Sequence, residues 1–322
     1  MRIVFHGQNA AAFSDGFAAL VGRDVEVVVL PDVLASAVDR DAFASADVII
    51  GTRFDAALPR PRGLQLFHVP GAGYDSVDLN ALPAGVTVCN CFGHEHAIAE
   101  YVMAALLRRY VPLADADRRL RQGDWRYSAS LPGQVHQEMS GSTLGILGFG
   151  HIGKAVASRA AAFGVRVHVA NRGPVVSDHV RRSCGLGDLA GFWGDLDNIV
   201  VTLPLVPETR GIVGAEAFAR MRSDAVLINV ARGPVVDEAA LYHVLRDGRI
   251  GGAVIDTWYQ YPSPGGGGCM PSALPFHDLT NVVMTPHMSG WTDGTIRRRQ
   301  QVMAENIRRR LSGEACVNVV RS

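Results

Sequence analysis

The sequence predicts an α/β protein built from two doubly wound parallel-sheet domains. Three observations carry this. Short, continuously apolar runs recur along the chain, as strands covered on both faces require. Segments with helical spacing separate them, and alternation of strand and helix gives a parallel sheet flanked by helices. The runs fall into two series on either side of one long helical stretch, and 322 residues suffice for two domains at ~150 residues each.

The first series comprises 2–5, 25–30, 48–52, 64–69 and 86–89, each rich in β-branched or aromatic residues and bounded by Gly, Pro, Asp or Asn. The helical stretch 97–120 carries apolar Ile98, Tyr101, Val102, Ala105 and Leu106, then an Arg/Asp-rich part that Pro112 interrupts. A helix of that length is expected to cross from one domain to the other. The second series comprises 143–147, 165–170, 199–203, 225–230, 253–255 and 282–285, with helical segments such as 154–163 and 238–247 between them. A last periodic segment, 295–311, holds Ile296, Val302, Met303, Ile307 and Leu311 amid Arg and is expected to return the chain to the first domain. Its basic runs 297–299 and 308–310 read as a solvated helix face rather than a nucleic-acid patch. The glycine run 265–268 reads as a flexible loop tip.

Composition narrows the function. Thirty-one Lys+Arg balance 31 Asp+Glu, so no basic field favours nucleic acid or a membrane surface. Only one lysine is present, Lys154, which leaves one candidate Schiff-base amine. Five cysteines, Cys89, Cys91, Cys184, Cys269 and Cys316, are odd in number and sparse, which argues against a disulfide framework; no metal site is expected. No signal-peptide pattern opens the chain and no run of ~18 apolar residues exists, so the expectation is a soluble cytoplasmic protein.

The most informative stretch is Gly148-Phe-Gly150-His151-Ile152-Gly153, a GxGxxG directly after an apolar strand and directly before a helix. That context makes the motif specific for a Rossmann-like dinucleotide site. Gly148 permits the tight turn, Gly150 lets backbone approach a pyrophosphate, and Gly153 allows close helix–strand packing. The phosphates would sit on N–H groups at the helix start, which brings His151 and Ile152 into the cofactor-binding set. The same residues nearly spell a P-loop through Lys154, but Ala155 lacks the hydroxyl that would bind Mg²⁺. A site selective for NAD places a carboxylate at the end of the second strand. Here that strand ends in Asn171-Arg172: Asn171 does not repel a 2′-phosphate and Arg172 can pair with one. NADP is therefore expected over NAD.

Two further residues suit hydride transfer. Arg232 follows an apolar strand at its C-terminal end, where open α/β sheets bind ligands, and a guanidinium matches a carboxylate bidentately and polarises a carbonyl. His287 also lies just past a strand and can give or take a proton near neutral pH.

The chain resembles the D-2-hydroxyacid dehydrogenase family over nearly its whole length. The resemblance rests on Gly71-Ala72-Gly73-Tyr74-Asp75-x-x-Asp78, Ala97-Ile-Ala-Glu100, the glycine loop, Pro204-Leu-x-Pro-Glu-Thr-Arg210-Gly, Asn229-Val230-Ala231-Arg232-Gly and Thr285-Pro-His287. It implies a discontinuous substrate domain (1–96 plus 288–322), a central dinucleotide-binding domain (97–287), a cleft between them and a homodimer formed through the dinucleotide-binding domain. It implies that backbone N–H groups at Gly71, Ala72 and Gly73 hold the carboxylate of a small-molecule substrate. Arg232 would bind the carboxylate and 2-oxo group, His287 would be the acid/base, and Asp256 would contact the nicotinamide carboxamide. Leu203, Pro204, Val230 and Ala231 join the cofactor-binding set.

One position departs from that pattern. The family pairs its His with a Glu, and Tyr261 stands there, in Asp256-Thr-Trp-Tyr-Gln260-Tyr261-Pro262-Ser-Pro264. A carboxylate partner favours the charged imidazole and fixes its tautomer. Three substitutes compete: Tyr261 as a neutral partner, Glu95 as a carboxylate from elsewhere, or chemistry without proton transfer. The last fits a resemblance of this loop to formate dehydrogenases. The favoured reading is a 2-oxoacid reductase, or D-2-hydroxyacid dehydrogenase, with Tyr261 or Glu95 as partner. The alternatives are formate-dehydrogenase-like hydride transfer and a catalytically weak dinucleotide sensor. Arg53, Tyr74, His94, His96 and Trp291 are candidate substrate selectors.

Overall fold

The computed structural model describes the chain apart from Arg23, residues 132–134 and residues 264–265. Pro264 and the first glycine of the 265–268 run thus lie outside the described residues. In chain order the first elements are β1 (Arg2–His6), α1 (Gln8–Ala11), α2 (Phe17–Val21), β2 (Glu26–Leu30), α3 (Ala37–Ala44), β3 (Val48–Gly51), β4 (Leu66–His68) and β5 (Thr87–Cys89). Then come α4 (Glu95–Tyr110), α5 (Leu113–Leu120), β6 (Thr143–Leu147), α6 (His151–Ala162), β7 (Arg166–Asn171), β8 (Arg182–Gly185) and β9 (Asn198–Val201). The chain continues through α7 (Ala215–Arg220), β10 (Val226–Asn229), α8 (Glu238–Arg246), β11 (Gly252–Ile255), β12 (Val282–Met284), α9 (Asp293–Leu311) and β13 (Val319–Arg321).

The chain divides into two compact units. One is Met1–His94 with Pro262–Cys269 and Trp291–Ser322; the other is Glu95–Tyr261 with Met270–Gly290. Relative to the boundaries expected from sequence, 262–269 falls in the first unit rather than the second.

The first unit holds a six-stranded sheet in the order β13-β5-β4-β3-β1-β2. It is parallel except for β13, which runs antiparallel on β5. Alternation along β1 feeds two cores. Ile3 and Phe5 pack with Phe13, Phe17, Met303 and Ile307 on one face, while Val4 packs with Phe43, Phe54 and Phe67 on the other. Burying each such side chain contributes about 1.5–3 kcal/mol, enough for the sheet to dictate the helices around it.

The second unit holds a seven-stranded, all-parallel sheet in the order β12-β11-β10-β9-β6-β7-β8. Every residue of β6 and β9 is buried, as the continuous apolar runs require. Strand order reverses at β6, so the loop leaving β6 sits at the topological switch point, where open α/β sheets bind ligands.

The expected single helix 97–120 is two helices, α4 and α5, and both lie in the second unit. The break falls at Pro112, which has no N–H to continue the ladder and which precedes the first residue of α5. The structure also adds elements without a sequence signal. Strand β8 reads Arg-Ser-Cys-Gly, is mostly exposed and lies at a sheet edge. Strand β13 is a three-residue edge strand, and α1, α2, α3 and α7 are too short for a clear apolar period.

Candidate active site

The glycine loop connects β6 to α6. Gly148 has φ +96°, a left-handed conformation that L side chains rarely adopt. A Cβ at Gly153 would overlap the Gly148 carbonyl oxygen, so the helix packs against the turn only with glycine there. At Gly150 an added Cβ meets no protein atom within 4 Å. The start of α6 has no side-chain cap and no acidic residue in its first turn, so the positive end of its dipole is open to an anion. These features fit a dinucleotide pyrophosphate. His151 at the helix start is exposed and Ile152 half-buried.

Asn171 ends β7. Its Oδ1 accepts from Phe149 N at 3.1 Å and its Nδ2 donates to the Gly173 carbonyl at 3.1 Å. The amide thus braces the glycine loop from the neighbouring strand. Arg172, inside the turn that Asn171 pins, is exposed and makes no ion pair or hydrogen bond among the described residues. Leu203 packs against Gly148, and the next residue, Pro204, is exposed. The Pro204 carbonyl accepts from Thr209 Oγ1, which holds the loop after β9.

Three loops leave the C-terminal ends of adjacent strands β10, β11 and β12, and they interlock. After β10, buried Asn229 holds the turn: its Oδ1 accepts from Ala231 N (3.1 Å) and its Nδ2 donates to the Arg232 carbonyl (3.2 Å). Val230 and Ala231 are buried, Arg232 is half-buried, and its Nη1 donates to the Ala231 carbonyl at 2.9 Å. A Cβ at the next residue, Gly233, would overlap the Trp258 carbonyl, so the Arg232 loop lies directly on the loop after β11. Trp258 Nε1 in turn donates to the Thr285 carbonyl of the loop after β12 (2.8 Å).

His287 sits in that third loop with φ 57°. For a non-glycine residue this left-handed state costs about 1–2 kcal/mol. Asp256, fully buried, offsets the cost. Its Oδ1 accepts from Thr285 Oγ1 (2.6 Å) and Met288 N (2.9 Å), and its Oδ2 accepts from Ser289 N (2.9 Å). Since Thr285 donates to the carboxylate, its oxygen accepts from Tyr101 Oη of α4 at 2.7 Å. Burial, then the nearby Asp256 charge, hold the Tyr101 phenol above its ordinary range. Asp256 therefore braces the turn that presents His287.

Tyr261 Oη lies 3.0 Å from His287 Nδ1, and Trp258 N donates to the same Oη at 3.0 Å. The structure thus brings Tyr261, which the sequence offers as a substitute for the missing glutamate, to His287. Glu95 opens α4 with its carboxylate 4.0 Å from His96 Nε2.

In the first unit, the 71–73 loop is pinned by its carbonyls. Gly71 O accepts from Cys91 N (3.0 Å), and Ala72 O accepts from Asn90 Nδ2 (2.7 Å). Across a planar trans peptide the N–H opposes the carbonyl, so the N–H groups of Ala72 and Gly73 point to the opposite side. A Cβ on Gly71 would lie 4.0 Å from Arg299 Nη1, and Arg299 is only 9% exposed. That corrects the reading of 297–299 as a solvated face. Helical phase buries Arg299 on the same side of α9 as Met303 and Ile307, while Arg297 is exposed and pairs with Asp293. Arg299 is a charge at the loop that the sequence pattern hides among three consecutive arginines. Of the candidate selectors, Arg53 pairs with Asp55 at 2.8 Å and Trp291 packs edge-on against Phe13. Tyr74 is exposed, His94 is buried, and His96 takes a 3.4 Å contact from Arg159.

A dinucleotide cradle at the switch point of one sheet, with an arginine and a histidine carried by strand ends of that sheet, defines an NAD(P)-dependent oxidoreductase. The chain belongs to the D-isomer specific 2-hydroxyacid dehydrogenase family. The family's NAD binding domain matches residues 102–289. Glycerate dehydrogenase of Methylorubrum extorquens is 38% identical over 251 residues, covering 76% of this chain and 74% of that protein. D-3-phosphoglycerate dehydrogenase of Methanocaldococcus jannaschii is 31% identical over 287 residues, 85% of this chain, which spans only 52% of that longer protein. A D-isomer specific 2-hydroxyacid dehydrogenase from Xanthobacter autotrophicus, solved with NADPH and MES, superposes with a TM-score of 0.80 at 29% identity, covering 99% of this chain and 97% of that one. No helix among the described residues is long and apolar enough to cross a membrane.

Proposed function

We propose that the protein reduces small 2-oxoacids to D-2-hydroxyacids with NADPH in preference to NADH. The observation that carries this is the interlocked set of loops after β10, β11 and β12, which fixes Arg232, Tyr261 and His287 at neighbouring strand ends. The bound nicotinamide supplies hydride to C2 of the oxoacid. Arg232 binds the substrate carboxylate and polarises the 2-oxo group, because a guanidinium presents two parallel donors. On the family resemblance, the N–H groups of Ala72 and Gly73 bind a substrate carboxylate, and Arg299, buried beside Gly71, adds positive charge to their loop. His287 gives the proton that converts the alkoxide to the alcohol. Asp256 positions the His287 turn, and its contact with the nicotinamide carboxamide is proposed on the family resemblance. Arg172, exposed beside the pinned Asn171, pairs with the 2′-phosphate of NADP.

The resemblance to glycerate dehydrogenase favours hydroxypyruvate, the 2-oxo partner of glycerate, as substrate class. The test is a screen of hydroxypyruvate, glyoxylate and pyruvate with NADPH and NADH, with formate plus NAD(P)⁺ as control. Turnover of an oxoacid, fastest with NADPH, is expected. Formate oxidation alone, or tight dinucleotide binding with no turnover, would overturn the proposal.

We also propose a homodimer formed through the second unit. Leu113 and Leu120 of α5, two turns apart on one face, are 74% and 51% exposed, and Trp125 is 64% exposed. Clustered exposed apolar side chains mark association surfaces. Sedimentation should show a dimer, and Trp125→Glu should shift it to monomer; an unchanged sedimentation coefficient would count against this surface.

A further inference from the structure

We infer that Tyr261 donates its hydroxyl proton to His287, the reverse of the bond a glutamate would make, and lends that proton during the reaction. The inference rests on the proposed oxoacid reduction but adds a direction to one hydrogen bond within it. The backbone N–H of Trp258 can only donate, and it points at Tyr261 Oη from 3.0 Å. That dipole draws electron density from Oη. The oxygen becomes a poorer acceptor for a second N–H and its own O–H a stronger donor, because hydrogen bonds in a chain polarise one another. The atom 3.0 Å away is His287 Nδ1. With Oη–H directed at it, Nδ1 is the bare nitrogen of a neutral imidazole, and the ring proton is on Nε2. A carboxylate at position 261 would accept from Nδ1–H and favour the imidazolium. Tyr261 instead favours the neutral ring with its proton on Nε2.

A neutral imidazole that gives up Nε2–H needs a proton on Nδ1, and Tyr261 supplies it. As the substrate oxygen takes the Nε2 proton, the Nε2–H bond breaks and the O–H bond of the alcohol forms. The Oη–H bond breaks as Nδ1–H forms, and the negative charge of the former alkoxide rests on Oη, where Trp258 N–H faces it. A phenol is a much stronger acid than an aliphatic alcohol, so the transfer runs toward the alcohol. The two hydride electrons end in the new C–H bond, and the relay moves protons only. After product leaves, Nε2 takes a proton from water and Nδ1 returns its own to Oη. One proton is consumed per turnover, and Tyr261, 48% exposed, ends as it began.

The test has a readout independent of turnover. Nitrogen NMR of ¹⁵N-histidine-labelled protein, with His287→Gln to assign the signal, reports which ring nitrogen carries the proton. Wild type should show a bare Nδ1 and a protonated Nε2, and Tyr261→Glu should move the proton of the neutral ring to Nδ1. A protonated Nδ1 in neutral wild type overturns the inference whether or not an oxoacid turns over. In kinetics, Tyr261→Phe should lower kcat at least about tenfold with the NADPH Kd unchanged. The solvent-isotope proton inventory should pass from two transferred protons in wild type to one in the variant. A one-proton inventory in wild type overturns the relay. A bare Nδ1 in a protein that reduces no oxoacid would instead overturn the proposed function and leave the bond direction standing.

Discussion

At the scale of the residue, side chains of one chemical type behave differently according to what holds them. Arg172 is exposed in a turn that Asn171 ties to the glycine loop, and the proposed role of its guanidinium is to pair with a cofactor 2′-phosphate. A charged hydrogen bond to phosphate is worth about 1.5–3 kcal/mol, so Arg172→Ala should weaken NADPH binding roughly 10- to 100-fold and leave NADH nearly unchanged. Fluorescence titration with both cofactors checks this, and equal losses would remove the phosphate role. The sequence makes Arg172 readable because it follows a strand end at a fixed distance from the glycine loop. It does not distinguish Arg299 from its two neighbours, since only the phase of α9 selects which of three arginines is buried. Nor does it choose between Tyr261 and Glu95 as the partner of His287. The Tyr261 contact depends on a loop bringing its Oη to 3.0 Å from Nδ1, and loop geometry has no periodic signature.

At the scale of the element, strands β10, β11 and β12 end on one edge of the sheet, and a single buried carboxylate shapes the last of their loops. Asp256 takes three hydrogen bonds, two of them from the backbone that follows left-handed His287. Asp256→Asn places an NH₂ against a donor it cannot accept from. It should cost about 1–3 kcal/mol, seen as a lower midpoint in denaturant unfolding, with a fall in kcat as His287 loses its presentation. Unchanged stability would show that the turn holds without the carboxylate. Strands such as β6 and β9 are legible because both faces are covered, leaving an unbroken apolar run. Edge strand β8 exposes most of its side chains and carries no such run. The break between α4 and α5 is marked by Pro112, yet apolar spacing carries the eye across it.

At the scale of the whole molecule, the sheet of the first unit contains a pH-sensitive clasp to its last helix. His68 of β4 is fully buried. Its Nδ1 faces the Val69 carbonyl at 3.1 Å, and its Nε2 faces Asn306 Nδ2 of α9 at 3.0 Å. Asn306 is oriented by Val317 N, which donates to its Oδ1, so its amide NH₂ points at His68. A proton on Nε2 would set donor against donor, and burial holds the imidazole down to about 4. The unfolded chain takes up this proton below about 6.5 and the folded chain does not, so stability is lost as pH falls from about 6.5 toward 4. The loss reaches roughly 3 kcal/mol. Unfolding of His68→Gln should show that much less pH dependence in this window, and an identical slope would contradict the clasp. The central claim is that a second-unit strand end provides the group that makes this dinucleotide-binding fold a 2-oxoacid reductase. The direct measurement is kcat/KM for hydroxypyruvate with NADPH in wild type and Arg232→Gln, together with the NADPH Kd of each. The account predicts a loss of at least about 10²–10³-fold in kcat/KM with the Kd unchanged. Values of kcat/KM within a few-fold of each other would contradict it.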